Sequence, residues 1–375
     1  MKTFKYDVLV EKDDICDREY ERKRLLDMCL KKRRGVVYAR RRCGKTSLVK
    51  NVVAPLFCKK TGGIYLYADL YQVRSLEDIS QRIQIGISQM MRSSFPLKNL
   101  AKSIGNYFRG TKTSITFDPL TGAPSFSLES GHDTTSIQPQ LSELFLGIRR
   151  ISEDRPLLII LDEFQSIAQV KQAEGVLRSE LMACSKSAVI LLGSKRHILK
   201  EIFSEPNKPF YNFGSDVEFK PIPWDEYATY IRERLDEKNI AIDDETIRYW
   251  LDIMHNIPNS INELGAWVTD HYSDLTLSKE IIHQCIMNII DEREVRFSTI
   301  LEGMSKKEIT LLIALAKIGE TEHLMGRDFA ELSSLKVPTI QKTSADLLKR
   351  GMIEKEGSII SICDPLFAAF LKYRR

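Results

Sequence analysis

The sequence predicts an α/β protein whose core is a parallel sheet flanked by helices, followed by a helical region and a small terminal module. Three observations lead to this class. Two continuous apolar runs, at 157–161 and 188–192, are typical of strands that are buried on both faces of a parallel sheet. Segments with strand and helix character alternate around them. After residue 223 the strand signal disappears and helical periodicity takes over.

Length and composition limit the classes of protein to consider. A chain of 375 residues is expected to form two or three domains. Apolar residues at 43% and charged residues at 28% are typical of a globular protein, and a net charge of +4 does not by itself indicate nucleic-acid binding. Seven cysteines without a C-x-x-C pair predict neither a disulfide framework nor a zinc site. With no apolar run near the roughly 20 residues of a membrane span and no secretory signal, we expect a cytoplasmic protein without a membrane partner.

The first half of the chain alternates predicted helices and strands. In chain order these are a helix at 20–30, strands at 35–38 and 63–69, and helices at 75–91 and 140–152. The two apolar strands follow, and each ends in polar residues: Asp162-Glu163 after the first and Gly193-Ser194 after the second. Because sites in parallel sheets lie at the carboxyl ends of the strands, we expect these residues to face a common site.

The domain organisation follows from shifts in composition. We predict a core at 1–222, a helical lid at 223–295 and a terminal domain at 296–375. Within the core, residues 108–139 are rich in Gly, Ser, Thr and Pro, which predicts a surface insertion with a β-hairpin. The terminal domain has three short helical stretches and then two strands around Glu356-Gly357, the order of a winged helix-turn-helix.

A glycine-containing loop follows the first strand and precedes a helix. Its residues are Ala39, Arg40, Arg41, Arg42, Cys43, Gly44, Lys45 and Thr46, and Ser47 continues into the helix. In this setting backbone N–H groups surround phosphates, the lysine reaches the β- and γ-phosphates, and the hydroxyl binds Mg²⁺. The first position of such a loop is usually glycine, and here it is Ala39. The alternative is a chance G-K-T in a basic turn; the strand, loop and helix order favours a P-loop that binds ATP.

The carboxylates at the end of the first apolar strand supply the second half of such a site. Asp162 is expected to hold Mg²⁺ through water, together with Thr46, and Glu163 to orient or deprotonate the attacking water. Ser194 could donate a hydrogen bond to the γ-phosphate or to that water. The catalytic set is therefore Glu163, Lys45 and Ser194. The structural alternatives are a loop cap for the acidic pair and a turn hydroxyl for Ser194.

Basic residues suggest two places for a nucleic-acid or protein partner. The arginines at 40–42 could contact an anionic ligand, neighbouring acidic side chains or nucleic acid. In the terminal domain, a candidate recognition helix carries polar side chains that suit phosphate and base-edge contacts. These are Lys336, Thr339, Gln341, Lys342, Thr343, Lys349 and Arg350. Winged helices also dock proteins, so DNA and protein both remain open as partners of this domain.

Together these pieces resemble the archaeal-type ATPases, AAA+/STAND-related P-loop proteins of archaea and bacteria. The motifs that carry the resemblance are Asp17-Arg18-Glu19, A-R-R-R-C-G-K-T-S-L, L-L-I-I-L-D-E-F-Q, L-L-G-S-K-R, Ile257-Pro258-Asn259 and Asp364-Pro365-Leu366-Phe367. The resemblance implies a P-loop core, a helical lid and a winged helix, with Asp17 and Arg18 near the nucleotide and Pro258 at its base or ribose. Residues 209–213 lack the arginine that many relatives have there, so no arginine finger is assigned.

These expectations combine into an ATP-driven molecular switch that hydrolyses ATP and couples its nucleotide state to a protein or DNA partner. ATP-dependent homo-oligomers are a further expectation. The alternative is a DNA-binding regulator or recruiter in which ATP is a static ligand. A nucleotide kinase is a third interpretation, but the sequence has no signature of an acceptor pocket.

Overall fold

The computed structural model of the chain describes residues 2–94, 106–109, 113–117, 124–128 and 137–375. The contacts divide it into two compact units, each described by itself. The core unit contains Arg18–Arg40 and Gly44–Lys220, and the helical unit contains Met1–Asp17, Arg41–Cys43 and Pro221–Arg375. In the part of the chain that is described, no helix has both the length and the apolarity needed to cross a bilayer.

A five-stranded parallel sheet in the order β2-β5-β6-β1-β7 forms the centre of the core unit. Its strands are β1 (Arg34–Tyr38), β2 (Ile64–Asp69), β5 (Leu157–Asp162), β6 (Ala188–Gly193) and β7 (Ser215–Glu218). Every residue of β5 and β6 is buried, as the two apolar runs predicted. The predicted α/β class with a parallel sheet is confirmed.

Helices flank the sheet because the connections between parallel strands have to cross over it. Those described in the core unit are α1 (Glu19–Leu30), α2 (Lys45–Ser47), α3 (Ala54–Thr61), α4 (Leu76–Ser94), α5 (Ile137–Asp154), α6 (Ala173–Ala183) and α7 (Arg196–Ser204). Leu48–Val53, between α2 and α3, is π-helical. Buried side chains of α4, α5 and α6 form one apolar cluster with β2 and β5, which packs these helices against the strands.

The predicted insertion contains two paired strands. β3 (Thr113–Phe117) and β4 (Pro124–Leu128) are antiparallel, with Thr113 opposite Leu128 and Phe117 opposite Pro124. The predicted β-hairpin is therefore present as a strand pair, and residues 118–123, which connect the two strands, lie outside the described residues.

In the helical unit, the region predicted as a lid contains α8 (Trp224–Leu235), α9 (Asp244–Ile253), α10 (Pro258–His271) and α11 (Lys279–Glu292), together with two short parallel strands, β8 (Ala241–Ile242) and β9 (Thr276–Leu277). The next helix, α12 (Glu294–Glu302), lies across the predicted start of the terminal domain at residue 296.

The N-terminal segment is part of the core of the helical unit. The Phe4 ring lies 6.2 Å from that of Tyr230 and 6.1 Å from that of Trp250. A Cβ on Gly265 would be 2.5 Å from the Phe4 ring, so only glycine fits there. The buried Arg234 donates hydrogen bonds to the carbonyls of Thr3 and Asp13. These contacts fix the first residues of the chain against α8 to α10.

The chain ends in helices around a three-stranded antiparallel sheet of order β10-β12-β11. The elements are α13 (Lys306–Ile318), β10 (Glu320–Thr321), α14 (Arg327–Ser333), α15 (Val337–Arg350), β11 (Ile353–Glu356), β12 (Ile359–Ile362) and α16 (Pro365–Arg374). Ser305 and Glu308 form a capping box at the start of α13. Gly357 has a φ of +63°, which the tight turn between β11 and β12 requires. The arrangement is the predicted winged helix, with β10 and α16 added.

Candidate functional site

Four strands of the core sheet end at one edge and present polar residues there. β2 ends at Asp69 and β5 at Asp162, and these two residues are partners in the parallel register. β6 ends at Gly193, directly before Ser194, and β1 leads into the loop at 39–44. Because the strands are parallel and neighbouring, their carboxyl ends form a single site, as the sequence predicted.

The loop lysine and threonine contact the two carboxylates at the end of β5. Lys45 Nζ lies 2.7 Å from Glu163 Oε1 and 3.8 Å from Asp162 Oδ1. Thr46 Oγ1 donates to Asp162 Oδ2 at 2.5 Å. The side chains of Lys45 and Asp162 are only 9% and 4% exposed, so these charges interact in a partly desolvated environment. The structure thus brings together two pairs of predicted site residues, Lys45-Thr46 and Asp162-Glu163, that lie over a hundred positions apart in sequence.

Three groups donate hydrogen bonds to Asp162, so its side chain has one orientation. The backbone N–H of Glu163 donates to Oδ1 at 2.8 Å. Oδ2 accepts from Thr46 and, at 3.2 Å, from the Tyr67 hydroxyl on β2. A carboxylate beside a hydroxyl oxygen is the kind of hard oxygen donor set that Mg²⁺ uses alongside substrate phosphates. Thr46 and Asp162 therefore fit the predicted metal position.

Glu163 is held by side chains from three elements. Besides Lys45, Gln165 Nε2 donates to Oε2, and Ser194 Oγ donates to Oε2 at 3.1 Å. Burial by itself raises the pKa of Glu163, but the Lys45 charge and the hydrogen bonds from Lys45, Gln165 and Ser194 outweigh it, so the pKa is below its ordinary value of 4.5. The carboxylate is ionised near neutral pH and can accept a proton or a hydrogen bond from water.

Ser194 joins the cluster through Glu163, and its predicted contact with phosphate stays a prediction. Gln165 was missed by sequence reasoning, although it lies only two residues after Glu163. Its Nε2 orients Glu163 while its Oε1 is buried against Gly193, where a Cβ would be 2.4 Å away. Tyr67 and Asp69 were also missed. Their positions in the sequence could have indicated them. Tyr67 and Asp69 are two residues apart on β2, and alternate residues of a strand share a face, so both side chains lie on one face of a strand that ends beside Asp162.

The loop has the backbone geometry that a phosphate-binding loop requires. Gly44 has a φ of +77° and is the N-cap residue of α2, so the loop leads directly into a helix N-terminus, the end of a helix that attracts anions. Arg42 also has a positive φ, +63°, which is uncommon for a residue with a side chain. Ala39 is 3% exposed and has a negative φ, and its N–H donates to the carbonyl of Gly193 at 3.4 Å. Alanine therefore fits the first loop position without backbone strain.

The middle of the loop, Arg41–Cys43, belongs to the helical unit. The carbonyl of Arg42 accepts from the N–H of Asn259 at 3.4 Å, next to Pro258 in the first turn of α10. The Arg42 guanidinium is 3.9 Å from Asp364, which caps α16. Contact with an acidic side chain was one of the alternatives for the arginine run, and Arg42 makes it. Contact of Pro258 with a base or ribose stays a prediction.

Asp17 and Arg18 both have left-handed backbone, with φ of 53° and 75°. Arg18 is 5% exposed and donates to Glu21 and to the carbonyl of Lys220, and its guanidinium lies 4.9 Å from the centre of the Phe219 ring. These contacts anchor the start of α1 in the core unit. A role of Asp17 and Arg18 near a nucleotide stays a prediction.

The candidate recognition helix, α15, exposes fewer of the predicted side chains than the sequence suggested. Lys336, Gln341, Lys342 and Lys349 are exposed. Thr343 is 7% exposed and packs inside the domain, so its hydroxyl cannot contact a base edge. Arg350 donates to Glu308 at 2.6 Å and to the carbonyl of Gly303. The structure therefore removes Thr343 from the candidate contacts, whereas Arg350 is exposed and stays among them.

Comparisons with known proteins agree with this architecture. Residues 295–373 match a family model described as a "probable winged helix domain". A search of curated proteins gave no match.

Among solved structures, the chain is similar to the Walker-type ATPase PABY2304 of Pyrococcus abyssi, with a TM-score of 0.63 and 18% identity over 98% of this chain and 99% of that one. It is also similar to the Aeropyrum pernix ORC2 protein in ADPNP and ADP complexes, with a TM-score of 0.53 and 15% identity over 94% and 91% of the two chains. The chain is similar as well to the A. pernix ORC1 protein in complex with DNA, with a TM-score of 0.51 and 11% identity over 96% of this chain and 94% of that one. At these identities the likeness concerns the fold: the chain has the fold of the AAA+ P-loop ATPases and ends in a winged helix domain.

Proposed function

We propose that the chain is an ATP-binding and ATP-hydrolysing switch whose nucleotide state is coupled to a protein or DNA partner. The observation that carries the proposal is the cluster of Lys45, Thr46, Asp162 and Glu163 at the strand ends. The solved relatives support it, since one is a Walker-type ATPase and another is an ORC2 protein in ADPNP and ADP complexes.

Lys45 is the residue of this cluster that would bind the phosphate. Its ammonium is paired with Glu163 at 2.7 Å, and a phosphate oxygen is a stronger partner because it carries more charge and accepts from the N–H groups at the start of α2 as well. Binding would therefore separate Lys45 from Glu163. The released carboxylate keeps its hydrogen bonds from Gln165 and Ser194, which hold it in place.

Thr46 and Asp162 would hold Mg²⁺. When bound, this ion neutralises charge on the phosphate oxygens. Glu163, held by Gln165 and Ser194, would orient a water and accept its proton as the water attacks the terminal phosphorus, while the bond from that phosphorus to the bridging oxygen breaks and ADP leaves. Asp162 and Glu163 are adjacent in sequence, and the N–H of Glu163 donates to Asp162, so the metal ligand and the base are fixed relative to each other.

Titration of a fluorescent ATP analogue, combined with a phosphate-release assay, tests the proposal. Lys45→Ala is expected to weaken binding roughly 10- to 150-fold, because a hydrogen bond to a charged group is lost. Glu163→Gln is expected to retain binding and to slow hydrolysis on the order of 100-fold. Lys208→Ala is the control, since Lys208 is also a lysine paired with glutamates, 3.3 Å from Glu174 and 3.4 Å from Glu201, but is outside the cluster. Wild-type protein that binds no nucleotide would refute the proposal.

The second candidate function is a DNA-binding regulator in which ATP is a static ligand. Lys342 and Lys349 of α15 and Lys336 directly before it are exposed and favour DNA as the partner of the winged helix, and the solved ORC1 relative is in complex with DNA. Nucleotide binding without measurable hydrolysis, together with DNA binding, would select this candidate. Light scattering with and without a slowly hydrolysed ATP analogue tests the proposed ATP-dependent homo-oligomer.

A further inference from the structure

β2 presents a polar face toward the helix that follows the phosphate loop. Its buried residues alternate with half-buried ones, and the half-buried residues are Tyr65, Tyr67 and Asp69. The Lys50 ammonium, on the π-helical segment after the loop, lies 4.2 Å from the centre of the Tyr67 ring. Tyr67 is therefore enclosed between the sheet and the loop helix.

The Tyr67 hydroxyl is oriented toward Asp162. It donates to Oδ2 at 3.2 Å, the same oxygen that accepts from Thr46. An ionised carboxylate can only accept a hydrogen bond, so the phenol is the donor of this one.

We propose that Tyr67 is a positioning residue that fixes Asp162 for Mg²⁺ binding. The inference rests on the proposed function. Of the three donors to Asp162, the Glu163 N–H and the Thr46 hydroxyl belong to the site motifs, whereas Tyr67 belongs to a different strand. Its hydrogen bond fixes the carboxylate from the side of β2.

Loss of the Tyr67 hydroxyl would leave Asp162 with one donor fewer and more rotational freedom, without removing any atom that touches nucleotide or metal. Partners that orient metal ligands typically contribute 10- to 100-fold in metal affinity. A tyrosine that only fills space would have no such effect, because the ring itself supplies the packing.

Tyr67→Phe separates these two roles, and Tyr65→Phe is the matched control. Tyr65 lies on the same face of β2, two residues before Tyr67 and near Cys58. Tyr65→Phe therefore removes the same hydroxyl oxygen at a position that is distant from Asp162. Two quantities are measured for each variant: the affinity for a fluorescent ADP analogue in EDTA, and the Mg²⁺ concentration that half-saturates the metal-dependent change in its fluorescence. Binding of Mn²⁺ followed by electron paramagnetic resonance reports the metal directly.

Tyr67→Phe is expected to leave metal-free nucleotide affinity unchanged and to raise the half-saturating Mg²⁺ concentration about 10-fold, with a matching loss of Mn²⁺ affinity. Tyr65→Phe is expected to behave as wild type. Equal Mg²⁺ dependence of both variants and wild type would overturn the positioning role while leaving the proposed function intact. An equal loss of metal-free and metal-dependent binding in Tyr67→Phe would overturn it as well, because that pattern indicates a general structural defect. Wild-type protein that binds neither nucleotide nor metal would refute the proposed function, and this inference with it.

Discussion

The Lys45 ammonium lies 2.7 Å from Glu163 Oε1, so the cation of the loop and the proposed general base neutralise each other in the absence of nucleotide. The pair connects binding to chemistry, because a ligand that attracts Lys45 also releases Glu163. Both side chains are largely buried, so removal of either one would leave the other as an unpaired buried charge.

The ion pair predicts a pH dependence of stability. The pKa of Glu163 is lowered on folding, so its contribution is present above its ordinary pKa of 4.5 and is lost as the pH falls through the lower value in the folded protein. We expect Glu163→Gln to reduce the free energy of unfolding by about 2 kcal/mol at pH 7, and the difference from wild type to shrink below pH 4.5. Urea denaturation of wild type and Glu163→Gln between pH 3.5 and 7 measures this difference.

The control for this experiment is Glu201→Gln, which removes a carboxylate from an exposed pair with Lys208. Exposed ion pairs contribute little to stability, so we expect the free energy of unfolding to change by less than about 1 kcal/mol. A difference between wild type and Glu163→Gln that stays constant down to pH 3.5 would contradict the predicted linkage.

Gly193→Ala is expected to disturb Glu163 indirectly. The new Cβ would be 2.4 Å from Gln165 Oε1 and 2.6 Å from Leu199 Cδ1, so Gln165 has to move and its hydrogen bond to Glu163 weakens. We expect a loss of about 1 to 3 kcal/mol in unfolding free energy and slower hydrolysis with nucleotide affinity retained. Gly175→Ala, on α6 with open space around it, is the matched control and should be neutral or stabilising. Unchanged hydrolysis in Gly193→Ala would argue against a role of Gln165 in orienting Glu163.

Substitution of Asp364, the N-cap residue of α16, tests the local stability of the winged helix. Asp364 Oδ1 accepts from the N–H groups of Leu366 and Phe367. Asp364→Ala is expected to cost about 1 kcal/mol locally, which corresponds to roughly fivefold faster amide exchange at these two residues. Asp364→Asn retains the capping oxygen and should exchange at the wild-type rate. Hydrogen exchange with mass spectrometry measures both variants, and equal acceleration in both would show that charge, not capping, protects this turn.

DNA binding by α15 is tested through its salt dependence. Lys342→Ala should weaken binding uniformly across sequences and lower the slope of log affinity against log salt by about 1, as loss of one phosphate contact would. Lys60→Ala is the control, because Lys60 is an exposed lysine on α3 of the core unit, outside the winged helix, and its loss should leave the slope unchanged. Fluorescence anisotropy with a labelled duplex at several salt concentrations measures the slopes. No DNA binding by the wild type would leave a protein as the partner of the winged helix.

The fold was predictable from the sequence because its strongest signals are local. Continuous apolar runs identify β5 and β6, and the G-K-T after a short strand identifies the loop. The rest depends on which side chains meet after folding. Tyr67 lies 95 positions from Asp162, and Arg350 lies 42 positions from Glu308. No periodicity encodes such pairs, and for the same reason the burial of Thr343 could not be inferred from its position on an amphipathic helix.

The packing of the N-terminal segment into the helical unit has a consequence for biosynthesis. Arg234 donates to the carbonyl of Thr3, which lies 231 positions earlier. At about 5 to 20 residues per second, Thr3 is made roughly 10 to 50 seconds before its partner on α8. During that interval Phe4 has none of its native neighbours on α8 to α10. The last strand of the core sheet ends at residue 218, so all five strands are made before those neighbours. Co-translational folding of this chain should therefore begin with the sheet, and the segment around Phe4 should reach its native position later.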